Sequence, residues 1–136
     1  MSTHLKQKEE KILDVIDALA IKSAKGFPIM VEGRKDMDAL RSFNILGTVL
    51  MFKTGGKSFI DAVTEIESTG ASSVILLLDF DRRGKESTKK IKQYLERAKI
   101  TPELKFWQDL NALLGRDVQS IEGIPSYMAT LQAKTI

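Results

Sequence analysis

Ser73-Val74-Ile75-Leu76-Leu77-Leu78-Asp79-Phe80-Asp81-Arg82-Arg83-Gly84 is the stretch on which the fold turns. Its first six residues form the most β-like run in the chain, and the run stops abruptly at an acid. Just upstream, residues 57–69 carry Phe59, Ile60, Val63 and Ile66 on one helical face, and Gly70 ends that pattern. Just downstream, residues 84–99 carry Ile91, Tyr94, Leu95 and Ala98, again one helical stripe. The unit is therefore helix, strand, helix, with Asp79 and Asp81 where the strand hands over.

The same grammar recurs outward. Residues 26–31 are a short apolar run stopping at Glu32-Gly33, as a buried strand does. Residues 35–43 place Met37, Leu40 and Phe43 at helical spacing, residues 48–52 read as a second strand, and Thr54-Gly55-Gly56 as a turn. After Thr101-Pro102, residues 104–107 read as a fourth, edge strand. An amphipathic helix over residues 6–20 sets Ile12, Val15, Ile16 and Leu19 against the core. Leu110, Leu113 and Leu114, then Ile124, Tyr127, Met128 and Leu131, mark two short closing helices.

Strands alternating with helices of this length imply parallel βαβ units and a three-layer α/β/α fold. The chain of 136 residues is expected to form one domain: an N-terminal helix (1–25), a βα core (26–107) and C-terminal helices (108–136).

Composition narrows the chemistry. Without cysteine there are no disulfides, thiol nucleophiles or Cys-based zinc sites. The one histidine, His4, lies near the terminus, so triads with a His base are excluded. Catalysis must rest on carboxylates, lysines and a bound ion. No apolar run approaches the ~20 residues of a membrane span, and no h-region follows the early lysines, so a cytoplasmic location is expected. Net charge of +3 is only a weak pointer to a polyanionic partner.

Glu32 follows the first strand, Asp79 the third, and Asp81 comes two residues later. A period of two turns Asp79 and Asp81 to one side and Phe80 to the other. For Glu32 to join them, strands one and three must be neighbours, ~4.8 Å apart, which predicts a sheet order of 2-1-3-4. The acids then lie at the topological switch point, where open α/β sheets bind ligands. Carboxylates gathered there repel by several kcal/mol, at about 4 kcal/mol per pair at 4 Å and an effective dielectric of 20. A hard divalent cation, Mg²⁺ or Mn²⁺, offsets that repulsion. Arg34, Lys35, Lys57, Arg82, Arg83 and Lys85, with the Gly55-Gly56 turn, supply cations and backbone amides suited to phosphate.

Val31-Glu32-Gly33-Arg34-Lys35-Asp36 resembles the apolar-Glu-Gly-x-x-Asp motif of the Toprim family, and Leu78-Asp79-Phe80-Asp81-Arg82-Arg83-Gly84 its Asp-x-Asp-x-x-Gly motif. The resemblance spans roughly residues 29–107. The tail from Ser120 to Tyr127 is similar to the end of small stand-alone Toprim proteins of archaea and bacteria. By that resemblance the fold is the Rossmann-like Toprim fold of DnaG-type primases and ribosomal-RNA maturation nucleases. Glu32 is then the implied acid/base and Asp79 and Asp81 the metal ligands, while Asp36 matches a recurrent family acid whose role stays open and is counted with Glu32, Asp79 and Asp81 among the candidate metal residues. The chain lacks a zinc module, a helicase-binding domain and a clamp with a nucleophilic tyrosine, and Tyr94 and Tyr127 read as structural.

Two functions follow. One is Mg²⁺-dependent, nuclease-like phosphodiester chemistry on RNA or DNA. The other is a non-catalytic binding or scaffold module of a nucleic-acid-processing complex, with a homodimer or partner protein supplying more surface. A third reading, a haloacid-dehalogenase-type phosphatase, ranks lower. The Gly-Thr pair expected after its Asp-x-Asp is absent, and the motif follows two βα units instead of opening the fold.

Overall fold

A computed structural model describes residues 3–52 and 58–134. In chain order the elements are α1 (Thr3–Ala24), β1 (Ile29–Val31), α2 (Arg34–Ser42), β2 (Val49–Met51), α3 (Phe59–Ser68), β3 (Ser73–Leu77), α4 (Arg82–Arg97), β4 (Thr101–Glu103), α5 (Lys105–Leu114), a 3-10 turn (Ile121–Gly123) and α6 (Ile124–Lys134). The strands form one sheet in the order β2-β1-β3-β4, and every pairing is parallel. The predicted order and class are both found.

Strand periodicity divides the apolar side chains between two layers. Ile29 and Val31 of β1 and Ile75 and Leu77 of β3 face a cluster with Ile12, Ile16 and Leu19 of α1, Leu40 of α2, Leu110 and Leu114 of α5, and Met128 and Leu131 of α6. Met30, Val74, Leu76 and Leu78 face the other way, onto Ala62, Val63 and Ile66 of α3 and Ile91 and Leu95 of α4. Both central strands are thus covered on each face, which is why they read as unbroken apolar runs. Each fully buried Leu or Ile contributes about 1.5–3 kcal/mol through water exclusion.

The α1 stripe lies on the core and contacts α5 and α6. Lys8 ties this layer together: its Nζ lies 3.1 Å from Asp117 Oδ2 and 5.2 Å from the centre of the Tyr127 ring. The Tyr127 hydroxyl, aided by Asp117, raises the Lys8 pKa despite some desolvation. Tyr94 stacks on Phe59 at 5.8 Å between α3 and α4. Both tyrosines are therefore packing groups.

The fourth strand differs from expectation. It falls on Thr101–Glu103, and residues 105–107 open α5 instead. Lys99 adopts φ 61° after α4, and the Ile100 amide bonds back to the Leu95 carbonyl, so the helix ends early enough for the strand to start at Thr101. Pro102 is tolerated because β4 is an edge strand. Glu103 Oε1 then accepts the Lys105 amide at 2.8 Å, and Phe106, Leu110 and Leu114 bury at helical spacing.

Candidate metal and phosphate site

Glu32 follows Val31, and Val31 pairs across the sheet with Leu77. That register sets Glu32 opposite Leu78 and one step short of Asp79, on strands ~4.8 Å apart. The chain leaves the sheet in opposite directions from this point, β1 to β2 on one side and β3 to β4 on the other. Glu32, Asp79 and Asp81 therefore share the carboxyl rim at the switch point. Glu32 is buried, with 5% of its surface exposed, while Asp79 and Asp81 are half-buried. Phe80, 3% exposed, turns into the α1-side core between them.

Each acid has its own local support. Asp81 is the N-cap of α4: its Oδ1 accepts the Gly84 amide at 2.7 Å, satisfying one of the donors that a helix start leaves without a partner. Gly84 packs so tightly against the strand end that a Cβ there would land on the Asp79 carbonyl. Thr88 Oγ1 donates to the Gly84 carbonyl at 2.7 Å and anchors the same turn. The glycine closing the Asp-x-Asp-x-x-Gly motif is thus a steric requirement of the backbone that carries Asp79.

Asp36 does a different job from its neighbours. Its Oδ2 accepts the Gly33 amide at 3.1 Å and its Oδ1 accepts the Glu122 amide at 2.8 Å. Both oxygens join backbone segments, so Asp36 fastens the first motif to the C-terminal 3-10 turn. Its proposed place in a ligand set is not how its oxygens are used here.

The expectation of three or four carboxylates closing around one ion is not met as a ready-made cage. Among the described residues no group of three His, Cys, Asp or Glu side chains is arranged to hold a metal. Asp81 uses one oxygen for a helix cap, and both oxygens of Asp36 accept amides. The donor chemistry still suits a hard cation, since Mg²⁺ is commonly held by one or two carboxylates with water and substrate phosphate completing its shell.

The flanking cations lie on the surface. Arg34 pairs with Asp38 at 3.3 Å and Arg82 with Glu86 at 3.4 Å, and Lys35 stands 3.9 Å from Glu122. The Arg82 side chain is 91% exposed, so its pair contributes little. Arg83 and Lys85 are exposed as well. Arg82 and Arg83 stand in the first turn of α4, with no acid there and Lys85 close behind. Cations at a helix N-terminus oppose the macrodipole by about 0.3–1 kcal/mol each, which makes this end strongly anion-seeking. Gly55, Gly56 and Lys57 lie outside the described residues.

Residues that sequence reasoning did not assign hold the acid turn in place. The Trp107 indole donates to the Leu78 carbonyl at 2.8 Å, and its ring lies 6.0 Å from that of Phe80. The Phe80 amide donates to the Gln119 carbonyl at 2.7 Å. Trp107 closes the 104–107 run that the sequence reads as a strand, and the Gln119 bond is made by backbone, which no side-chain pattern announces.

A profile of the Toprim domain matches residues 27–106. The chain belongs to the Toprim family. A UPF0292 protein of Methanocaldococcus jannaschii is 32% identical to this Toprim chain over 120 residues, covering 88% of it and 91% of that protein. A UPF0292 protein of Methanosarcina acetivorans is 28% identical over 126 residues, covering 93% and 85% respectively. A solved protein from Aquifex aeolicus shares the fold with a TM-score of 0.66 at 29% identity, covering 80% of this chain and 94% of that one. The chain is therefore a small Toprim protein similar to archaeal UPF0292 proteins, and Toprim membership supports a metal-dependent role connected with nucleic acid. Among the described residues no helix is long and apolar enough to cross a membrane.

Proposed function

We propose that this Toprim protein carries out Mg²⁺- or Mn²⁺-dependent phosphodiester chemistry on RNA or DNA. The observation that supports it best is the meeting of acids and anion-seeking helix starts at one switch point. Glu32 and Asp79 end neighbouring strands, and exposed Arg34, Lys35, Arg82, Arg83 and Lys85 begin the two helices that follow. Asp79 and Asp81 would hold the cation, which supplies charge neutralisation at the phosphoryl oxygens. Glu32, screened from water by burial, would take a proton from the attacking oxygen or return one to the leaving oxygen. The arginines and lysines would bind flanking phosphates and fix the strand's register.

Gly33 adds a second support. Its backbone is extended at φ −154°, which any residue adopts, and a Cβ there would meet nothing within 4 Å. Neither strain nor packing calls for glycine, so the open space beside Glu32 fits close approach by a ligand.

The decisive experiment offers labelled single- and double-stranded RNA and DNA with Mg²⁺ or Mn²⁺ to the wild type and to the Asp79→Asn/Asp81→Asn double variant. Metal-dependent cleavage by the wild type alone is expected, and equal cleavage by the double variant removes the proposal. Among the described residues no three acids form a ready-made cage, and a second reading fits that arrangement, a module that binds without cutting. It predicts gel shifts with no cleavage. A cradle completed by a second copy or a partner chain fits either reading.

A further inference from the structure

The backbone on either side of Asp79 is bonded to residues beyond the Toprim match, which ends at residue 106. Before Asp79, the Leu78 carbonyl receives the Trp107 indole N–H. After it, the Phe80 amide is held by the Gln119 carbonyl. Three residues further on, the Glu122 amide is held by Asp36, in the turn that follows Glu32. The segment from Gln119 to Glu122 thus reaches both acid-bearing turns, and Trp107 braces one of them from below through Phe80.

We propose that Trp107 is a positioning residue: with the 119–122 strap it sets the geometry of Asp79 and so the cation affinity of the rim. This rests on the metal-binding reading above and deepens it. An indole donor in a short bond to a carbonyl one residue from a ligand limits the rotation of that peptide and hence the direction of the next side chain. Trp107→Phe would keep an aromatic ring against Phe80 and lose the N–H donor together with the volume of the indole's second ring. Outer groups that orient a metal's ligands typically change affinity by ~10–100-fold when removed.

Trp107 is the sole tryptophan, so the protein gives one indole N–H resonance. In a Mg²⁺ titration of the wild type followed by ¹H–¹⁵N NMR, that resonance is expected to shift saturably, with the dissociation constant found by calorimetry. The shift should vanish in Asp79→Asn/Asp81→Asn. Trp107→Phe, checked for folding by circular dichroism, is expected to bind Mg²⁺ about ten-fold more weakly. Calorimetric binding without movement of the indole resonance overturns the positioning role and leaves the metal site standing. Undiminished affinity in Trp107→Phe does the same, whereas absence of Mg²⁺ binding in the wild type removes both proposals. The wild-type resonance test holds even if the variant fails to fold.

Discussion

The two acid-bearing turns look alike in sequence, each an apolar strand, an acid, a glycine and a helix, yet they are built by different means. After β3, close packing is added to hydrogen bonding: Gly84 lies against the Asp79 backbone, and Asp81 accepts its amide as the N-cap of α4. After β1, the turn is closed by hydrogen bonds: Asp36 accepts the Gly33 and Glu122 amides, and Gly33 itself has room around it. The same residue type therefore carries different meanings. Gly84 is demanded by the fold, whereas a side chain at Gly33 would meet open space.

This contrast can be tested from its strongest consequence downward. Gly84→Ala forces a methyl onto backbone that cannot yield, and a loss of about 2–3 kcal/mol is expected. That corresponds to a drop in Tm on the order of 5–15 °C by calorimetry. Tm unchanged in Gly84→Ala would show that the turn is looser than described. Asp36→Asn replaces one acceptor by an amide that cannot receive an N–H. It should cost about 1–2 kcal/mol in urea unfolding, and wild-type stability would deny Asp36 its fastening role. Gly33→Ala should cost less than about 1 kcal/mol, while weakening nucleic-acid binding several-fold in a filter or gel assay. A large stability loss with unaltered binding would invert the comparison.

Most of the fold was legible because the central strands are covered on both faces and so appear as unbroken apolar runs, with Gly70 marking the end of the helix before β3. The acids were legible because they stand immediately after those runs. The fourth strand was misplaced because its signal is weak. Thr101-Pro102-Glu103 carries no apolar run, while the apolar Phe106 and Trp107 beside it belong to α5, whose buried stripe Leu110 and Leu114 continue, and Leu104 is that helix's N-cap. The site's support was hidden for another reason. Asp36 could be recognised as an acid in a motif, but its partner is the amide of Glu122, 86 residues away. Gln119 acts through its carbonyl, which every residue possesses. Distant bonds to backbone leave no trace in residue type.

The central claim is that the rim carrying Asp79 and Asp81 takes a divalent cation without a preformed cage. Isothermal calorimetry of Mn²⁺ into the wild type, Asp79→Asn and Asp81→Asn tests it most directly. Saturable binding by the wild type, reduced at least ten-fold in each variant, is the predicted result. No binding by the wild type, or equal binding by all three proteins, would contradict it.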